Sequence, residues 1–384
     1  MYAVTVYPES NSDYVSELYA GLFDLQAAGI VDLRFGRRRP LRNQPINDQG
    51  ILSLDVEIAG AHQAKSVCFD TFDWQDIASM DDLAAADVYF KRSYRRVNVE
   101  QLQDGLRQKV VPLGLHYACL SRNESFPSCF RRVLARNANS RAFAENPIRA
   151  VAEFFGRPAK VMMKRYGYSG FNDLPLFTDE FEVAPDEPAE QLIFYRTRVY
   201  SPTDAPDTYR SGRLDEINDM RAGTIRALKT YFGDRFIGGL RPSRFAQERY
   251  PDCMFPNDPG LLGHLELSKT CLVNVNTSGL HDSTSWKIPE YMAGSRCIVS
   301  EPLKYETPVP LCERKHYLAF RTPEECVRAC DELLHDPEMA SAMRKENFIY
   351  YSENVKPAQL MLRSLETAFN RQLDAQNSVR EEAR

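Results

Sequence analysis

The stretch TSGLHDSTSWKIPEYMAGSRCIVSEP, residues 277–302, is the part of the sequence that decides the fold. It predicts a polar loop, then a short helix that ends at Gly294, and then a strand. The preceding residues 272–276, LVNVN, predict a buried strand. The loop is rich in small side chains and hydrogen-bond donors, and the cation Lys287 follows it. This order of strand, polar loop and helix predicts a phosphate-binding site.

The start of this helix is predicted near Pro289. Proline fits the first turn of a helix, where its missing N–H is no loss, and it disfavours a helical conformation of the preceding Ile288. The unpaired N–H groups of the helix N-terminus would then face an anion.

Two short patterns in this stretch resemble the nucleotide-sugar half of GT-B glycosyltransferases. Seven residues separate Asp282 from Glu290, which resembles the E-x7-E element of that family, although the first acid is Asp here. Lys287-x-x-Glu290-Tyr291-x-Ala293 resembles its K-x-x-E-Y-x-A pattern. The resemblance implies that Glu290 holds the donor ribose, that Lys287 holds the diphosphate, and that Asp282 lies near the transferred sugar. The small residues that complete this predicted donor site are Thr277, Ser278 and Gly279.

Context supports the resemblance more than the acid spacing does. With 53 acids among 384 residues, about seven acid pairs at this spacing arise by chance. Downstream, CIVSEP and HYLAF predict two further strands, and residues 322–354 predict a helix pair in which Thr322 is the N-cap and Glu325 completes a capping box. The resemblance covers roughly residues 190–365. It implies an α/β protein of the GT-B fold, with two facing Rossmann-like domains and a cleft between them.

The sequence predicts two domains and a C-terminal helix. A chain of 384 residues exceeds one ordinary core, which favours two domains. The predicted boundaries give an acceptor-side domain over 1–190, a nucleotide-sugar domain over 191–355, and a helix with a polar tail over 356–384. The irregular stretch 120–185 predicts a helical insertion that supports acceptor or membrane contacts, and a purely structural helical subdomain is an equal alternative. The family resemblance implies that the C-terminal helix packs back across the first domain.

Composition excludes several classes of protein. Hydrophobic content of 43% and charged content of 26% are typical of a globular protein. No apolar run approaches the roughly 20 residues of a membrane span, and MYAVTVYPES lacks the features of a secretory signal. Nine scattered cysteines without a C-x-x-C pair predict reduced thiols in a cytoplasmic protein. No D-x-D lies between apolar strands, so we expect a metal-independent enzyme that uses a nucleotide sugar as co-substrate and no cofactor.

Positive charge is concentrated in the first 165 residues, which carry 22 Lys and Arg against 19 Asp and Glu, whereas the rest carries 26 against 34. The excess forms three clusters, within residues 34–42, 91–96 and 131–136. One use would be peripheral attraction to anionic lipid headgroups at the inner face of a membrane, or to a phosphate-bearing acceptor; the alternative is solvated surface. Nucleic-acid binding is not expected, because the domain is not strongly basic and contains no recognised module.

The remaining candidate residues follow strands of either domain. By the resemblance, Arg198, with Arg196 as the alternate, reaches the donor diphosphate and stabilises the leaving group; the alternative is a surface ion pair. His281 is a candidate contact to the donor sugar because it lies beside Asp282. Inverting transfer would also need a group that takes the acceptor proton. The candidates at strand ends of the first domain are Asp13, Asp70 and Asp73.

These patterns predict a glycosyltransferase that moves a sugar from a nucleotide-diphosphate sugar to a glycan or lipid-linked glycan, in the synthesis of a cell-surface polysaccharide. An NAD enzyme is disfavoured, because the first strand–helix turn lacks G-x-G-x-x-G. Two alternatives remain open. A nucleotide-sugar epimerase or hydrolase of the same architecture would release an isomer or a free sugar without an acceptor. A non-catalytic sugar-nucleotide or glycan-binding protein would bind without turnover.

Overall fold

The computed structural model of the chain describes residues 1–8, 13–36, 50–58, 64–139, 156, 159–166, 175–204 and 213–382. Parts of the predicted insertion, residues 140–155, 157–158 and 167–174, lie outside these residues, as do four members of the first basic cluster, Arg37, Arg38, Arg39 and Arg42.

The chain divides into two compact units, and unit 2 is inserted into the chain of unit 1. Unit 1 comprises Met1–Glu180, Glu306–Pro308 and Glu353–Arg384, and unit 2 comprises Phe181–Tyr305 and Val309–Ser352. Each unit contains one large sheet with helices, so the prediction of an α/β fold with two Rossmann-like units is confirmed. The structure begins unit 2 at Phe181, whereas the sequence predicts a boundary after residue 190.

Unit 1 contains a six-stranded sheet in the order β2-β1-β3-β4-β5-β6. Its strands are β1 Tyr2–Tyr7, β2 Val31–Phe35, β3 Ile51–Ile58, β4 Lys65–Asp70, β5 Val88–Lys91 and β6 Val110–Pro112. Neighbouring strands are parallel, except that β3 runs antiparallel to both β1 and β4. The sequence analysis missed β3, although residues 53–58 alternate polar and apolar side chains as a half-buried strand does.

Short helices and a small second sheet surround this core. The helices are α1 Ser16–Ala27, α2 Met80–Ala85, α3 Arg96–Val99, α4 Asp104–Arg107, α5 Phe126–Asn139 and α6 Thr178–Phe181. Strands β7 Cys119–Leu120 and β8 Leu176–Phe177 form a parallel pair.

Glu17 in the first turn of α1 contacts His116 with 2.5 Å between Oε2 and Nδ1, and both side chains are fully buried. Burial raises the pKa of Glu17 well above its usual range and lowers the pKa of His116 to about 3, so it disfavours the charged form of both side chains.

Unit 2 contains a five-stranded, fully parallel sheet in the order β10-β9-β11-β12-β13. Its strands are β9 Glu190–Thr197, β10 Phe236–Leu240, β11 Cys271–Asn276, β12 Cys297–Ser300 and β13 Leu318–Ala319. Every residue of β11 is buried, as expected of a central parallel strand. The chain adds β10 on one side of β9 and β11 on the other, so the direction of strand addition reverses between β9 and β11.

Among the described residues, six helices accompany this sheet: α7 Arg213–Phe232, α8 Arg244–Arg249, α9 Gly260–Thr270, α10 Lys287–Ala293, α11 Pro323–His335 and α12 Pro337–Tyr350. Helix α7 agrees with the sequence, which predicts a helix from about Arg213 to Phe232, and it stops at Gly233, whose φ of 55° lies in the left-handed region that glycine adopts without strain. Helix α11 is capped as predicted, because the Glu325 N–H donates to the Thr322 hydroxyl at 3.2 Å.

The predicted start of α10 is wrong. The helix begins at Lys287 rather than at Pro289, and it includes Ile288. The Ile288 N–H donates to the Ser285 carbonyl at 3.1 Å, and the side chain is 1% exposed. Core burial and this hydrogen bond therefore outweigh the preference of a residue before proline for extended backbone.

The last helix, α13 Pro357–Glu382, packs on α1 within unit 1. Its side chains Leu360, Met361 and Leu365 are fully buried in the same core as β1 and β4. The two helices approach closely at Gly21, where an added Cβ would lie 2.2 Å from the Pro357 carbonyl oxygen. None of the described helices combines the length and the apolar character that crossing a membrane requires.

Candidate functional site

The candidate site lies at the carboxyl ends of β9 and β11 in unit 2. In open α/β sheets, ligands bind outside the carboxyl ends of the strands where the direction of strand addition reverses. Here that point brings together the donor-side residues predicted from the sequence, since β9 ends with Arg196 and Thr197 and β11 leads into Thr277. The predicted donor-side residues in this region are Arg196, Arg198, Thr277, Ser278, Gly279, Lys287 and Glu290.

Arg221 of α7 joins the two strand ends. It is 4% exposed, and its guanidinium donates to the Arg198 carbonyl at 2.6 Å, to the Ser278 carbonyl at 2.7 Å and to the Thr277 hydroxyl at 3.2 Å. The Thr277 hydroxyl also lies 2.9 Å from the Tyr195 hydroxyl. Arg221 therefore fixes the backbone after β9 relative to the backbone after β11.

Lys287 brings a second cation to the same strand ends. Its Nζ donates to the Arg196 carbonyl at 3.2 Å and lies 5.5 Å from the centroid of the Tyr195 ring. Burial and the neighbouring guanidinium of Arg221 lower the pKa of Lys287 to about 7, with Arg196 adding to the effect and Glu290 opposing it. Because burial and a neighbouring cation disfavour the charged ammonium here, a bound anion beside it would favour the charged form.

Arg196 is held by an acid from the loop before α9. It is 8% exposed and forms a two-pronged ion pair with Asp258, in which Nη2 donates to Oδ2 at 2.8 Å. The hydrogen bonds from Arg196 lower the pKa of Asp258. Burial and the nearby Arg196 lower the pKa of Arg241, which follows β10. The cations of this edge are thus oriented in advance rather than dispersed in solvent.

Tyr200 lies beneath two of these guanidinium groups. The Arg198 and Arg221 guanidinium carbons lie 4.7 and 5.0 Å from its ring centroid. Burial alone would raise the pKa of Tyr200, but Arg221 and Arg198 outweigh burial and lower it. Asn218 of α7 fixes the Tyr200 backbone, because its Oδ1 accepts from the Tyr200 N–H at 2.9 Å and its Nδ2 donates to the carbonyl at 2.8 Å.

The loop after β11 has an unusual backbone. His281 and Asp282 have φ angles of 58° and 60°, in the left-handed region that residues other than glycine rarely adopt. The loop is tied down at both ends, because Glu301 accepts from the Ser278 N–H at 2.8 Å and the Tyr305 hydroxyl donates to the His281 carbonyl. Backbone held in this region clusters at binding and active sites, where the surroundings enforce it.

Asp282 lies between two cations. Its Oδ1 accepts from Arg213 at 2.6 Å and from Lys304 at 2.8 Å. Burial would raise the pKa of Asp282, but the hydrogen bonds from Arg213 and Lys304 outweigh burial and lower it. The carboxylate therefore stays charged at neutral pH and connects the loop to α7 and to the segment after β12.

We expect Asp282→Asn to lower the free energy of unfolding only slightly, by at most about 1 kcal/mol, because both cations are substantially exposed at 47% and 40%. Raising the salt concentration should shrink the difference between the variant and the wild type, since salt screens exposed ion pairs. Urea unfolding at low and high salt measures this, and a difference that does not change with salt would contradict the assignment.

The predicted base Asp70 lies inside unit 1. It is fully buried, and its carboxylate accepts hydrogen bonds from Tyr89 Oη at 2.7 Å, from Lys91 Nζ at 3.0 Å, and from the N–H groups of Phe72 at 3.1 Å and Ala78 at 3.0 Å. A carboxylate that is saturated in this way organises the ends of β4 and β5, and it is not exposed to solvent.

Asp13 and Asp73 have local contacts. Asp13 opens the 3-10 turn before α1, and its carbonyl accepts from the Ser16 hydroxyl at 2.7 Å. Asp73 pairs with Arg92, which is 7% exposed.

Arg132 is likewise buried and pairs with Glu124 at 2.8 Å. Several members of the predicted basic clusters, namely Lys91, Arg92 and Arg132, thus neutralise acids within unit 1 and do not present charge to a lipid surface.

Three residues of the site were not predicted from the sequence: Arg221, Asp258 and His264. Arg221 could have been found, because it lies on the same helical face as the buried apolar residues Leu214, Ile225 and Leu228. A charged residue on the apolar face of a helix needs a partner or a function. Asp258 lies in a loop, and no pattern in the sequence connects it to Arg196.

Comparisons with known proteins give only a distant likeness. No known protein family matches the sequence, and no curated protein does. The fold is similar to that of UDP-GlcNAc 2-epimerase from Neisseria meningitidis bound to UDP-GlcNAc, with a TM-score of 0.35 and 10% identity over 75% of this chain and 63% of that chain. It is also similar to a Listeria monocytogenes protein assigned as a UDP-N-acetylglucosamine 2-epimerase, with a TM-score of 0.30 and 10% identity over 79% and 62% of the two chains. This chain spans less than two thirds of either structure, and likeness at these TM-scores bears on neither substrate nor reaction.

Proposed function

We propose that unit 2 binds a nucleotide-diphosphate sugar and that the protein is an enzyme acting on the bond between the sugar and the diphosphate. One observation carries the proposal: a group of cations, of which Arg196 and Arg221 are buried, lies where the strand order of a parallel sheet reverses. Such a position suits a ligand, and such a charge suits an anion.

The cations would bind the diphosphate. Arg196, Arg198, Arg221 and Lys287 supply planar guanidinium groups and one ammonium group, which are the usual partners of phosphate oxygens. Breaking the bond between the sugar and the diphosphate leaves negative charge on the departing nucleoside diphosphate. Cations that are already oriented stabilise that charge as it develops, and this electrostatic effect is usually the largest contribution to such catalysis.

Glu290 would bind the ribose. A carboxylate beside a phosphate site repels the phosphate, but it accepts hydrogen bonds from hydroxyl groups. Within the described residues, no side chain or backbone group hydrogen-bonds to the Glu290 carboxylate, so its oxygens are available for a ligand. The strained loop with His281 and Asp282 would then border the sugar.

Glycosyl transfer to a glycan or lipid-linked glycan is the first candidate reaction. A second candidate is an epimerase or hydrolase reaction, which begins with the same departure of the nucleoside diphosphate but needs no acceptor. The burial of Asp70 bears on the first candidate, because it leaves fewer candidate groups that could take the acceptor proton. Incubation with each nucleotide sugar alone distinguishes them, since only the second reaction gives a free or isomerised sugar without an added acceptor. Binding without product under either condition would indicate a non-catalytic protein.

Thermal shift with UDP, GDP, ADP, CDP and their common sugars tests the proposed site. We expect one nucleotide to raise the melting temperature of the wild type, because a ligand that binds the native state stabilises it by mass action. Glu290→Ala should weaken that nucleotide about tenfold, the cost of losing a hydrogen bond to a charged group.

The matched control is Glu266→Ala, which removes an exposed carboxylate from α9 and should leave binding unchanged. If no nucleotide stabilises the wild type, the proposed function is wrong. If both variants bind as the wild type does, the nucleotide binds elsewhere.

A further inference from the structure

His264 is a buried side chain next to Glu290 that the proposed chemistry does not yet use. It lies on α9 and is 6% exposed. Its ring packs between aromatic side chains, with centroids 5.1 Å from Phe194 of β9 and 6.5 Å from Tyr291 of α10. Its Nε2 lies 3.6 Å from Oε2 of Glu290. The histidine therefore connects the helix before β11 to the predicted ribose acceptor.

Packing alone does not explain a histidine at this position. The Nδ1 atom of His264 is buried and has no hydrogen-bond partner among the described residues. A buried polar atom without a partner costs free energy, whereas an apolar ring would fill the same space between Phe194 and Tyr291 without that cost. The imidazole is present at a cost to stability, and among the described residues the acid within 4 Å of its other nitrogen is Glu290.

The Glu290 carboxylate has capacity for both a positioning contact and a ligand. Its side chain is 16% exposed, and an ionised carboxylate has two oxygens with about four lone pairs. At 3.6 Å the contact from Nε2 is longer than a hydrogen bond. Such contacts are often long in the free enzyme and tighten when the ligand is bound.

We propose that His264 is a positioning residue: its Nε2–H donates to Oε2 of Glu290 and turns the carboxylate so that it accepts the ribose hydroxyls. The site thereby selects ribonucleoside diphosphates over analogues without those hydroxyls. This inference rests on the proposed function. A site whose polar groups are built to bind a hydroxyl rejects an analogue that lacks it, because those groups are then left unpaired.

The experiment measures the affinities of UDP, GDP, ADP and CDP and of the 2′,3′-dideoxy counterpart of each by isothermal titration calorimetry. The wild type should bind its ribonucleotide about tenfold more tightly than the dideoxy counterpart, which is the effect of a hydrogen bond to a charged group. His264→Phe keeps an aromatic ring in the packing but removes Nε2. It should reduce the preference to about twofold while leaving the affinity for the dideoxy compound unchanged, which a purely structural defect would not do.

Two further variants separate the nitrogens. The amide of His264→Gln reaches the position of Nε2 and should restore the preference, whereas that of His264→Asn reaches only the position of Nδ1 and should not. Combining His264→Phe with Glu290→Ala should reduce the preference no further than Glu290→Ala does, since both changes act on one contact.

His316→Phe is the matched control. His316 is also a buried histidine of unit 2, with its ring 5.1 Å from Tyr350, and it lies outside the site. It should keep the wild-type preference. The role of His264 would be overturned if His264→Phe kept the preference for the ribonucleotide, or if it bound the ribonucleotide and the dideoxy compound equally less tightly than the wild type does. Either result would leave the proposed function standing. Absence of nucleotide binding by the wild type would overturn both.

Discussion

Lys287→Met should weaken the binding of a nucleoside diphosphate by about 100-fold. Hydrogen bonds to charged groups contribute about 1.5–3 kcal/mol each, and the upper part of that range applies where neighbouring groups are desolvated. Lys287 meets this condition, because its ammonium lies against the Tyr195 ring and the Arg196 carbonyl. Methionine has a similar length and no charge, so the packing of α10 should be kept.

The same substitution should remove a pH dependence of binding. Burial and Arg221 lower the pKa of Lys287 to about 7 in the free protein. A bound diphosphate favours the charged ammonium and raises this pKa, so binding takes up a proton. In the wild type the affinity should therefore fall as the pH rises above 7, and in Lys287→Met it should stay nearly constant. Calorimetric titrations between pH 6.5 and about 8.5 measure this, since the phosphate has lost its last proton near pH 6.

The neighbouring charges help to identify the source of the slope. Guanidinium groups in general keep their charge over this pH range, so the slope is not expected from arginine side chains. Lys315→Met is the control, because Lys315 lies on the surface and pairs with Glu346 at 3.1 Å. Equal losses in both variants would mean that the effect is one of net charge and not of the site.

Gly21→Val should destabilise unit 1 by about 3 kcal/mol, the upper range for overpacking a well-packed core. A Cβ at Gly21 would lie 2.2 Å from the Pro357 carbonyl oxygen and 2.5 Å from Cγ of Met361. The first of these is a backbone atom, so α13 must move away from α1. That movement would loosen the packing of Leu360 and Leu365, which are fully buried in the core.

Differential scanning calorimetry and urea unfolding can measure this loss. Gly105→Val is the control, because a Cβ at Gly105 of α4 meets no atom within 4 Å and stability should change by less than about 1 kcal/mol. Gly21→Val should lower the melting temperature of the same unfolding transition that Leu360→Ala lowers, because both residues belong to the core of unit 1. Equal melting temperatures for the two glycine variants would show that α13 does not pack on α1 as described.

Local signals in the sequence predicted much of unit 2. The limits of α7 were found because its apolar residues repeat at helical spacing and Gly233 ends them. The start of α11 was likewise predicted from a local pattern, because the capping box of Thr322 and Glu325 spans only four consecutive residues. The turn from β11 into α10 was also visible, and only the first residue of α10 was misplaced.

Features that depend on distant parts of the chain were not predicted. Arg221, Asp258 and His264 enter the site because β9 and β11 are neighbours, and the sequence does not state the order of strands in a sheet. Asp70 was interpreted as a base because it ends a strand, but Tyr89 and Lys91 of the next strand bury it. The antiparallel direction of β3 is likewise fixed by its pairing with β1 and β4, and not by its own residues.

The path of the chain through the two units determines the order in which they can mature on the ribosome. Unit 2 is nearly continuous and is complete once Ser352 has emerged, whereas the core of unit 1 needs Leu360, Met361 and Leu365 from the last helix. Domains generally fold as units while synthesis proceeds. The first half of the chain must therefore wait, with the apolar face of α1 uncovered, until residues 360–365 have been translated. During that interval a nascent chain would depend on chaperones, although its second unit is already assembled.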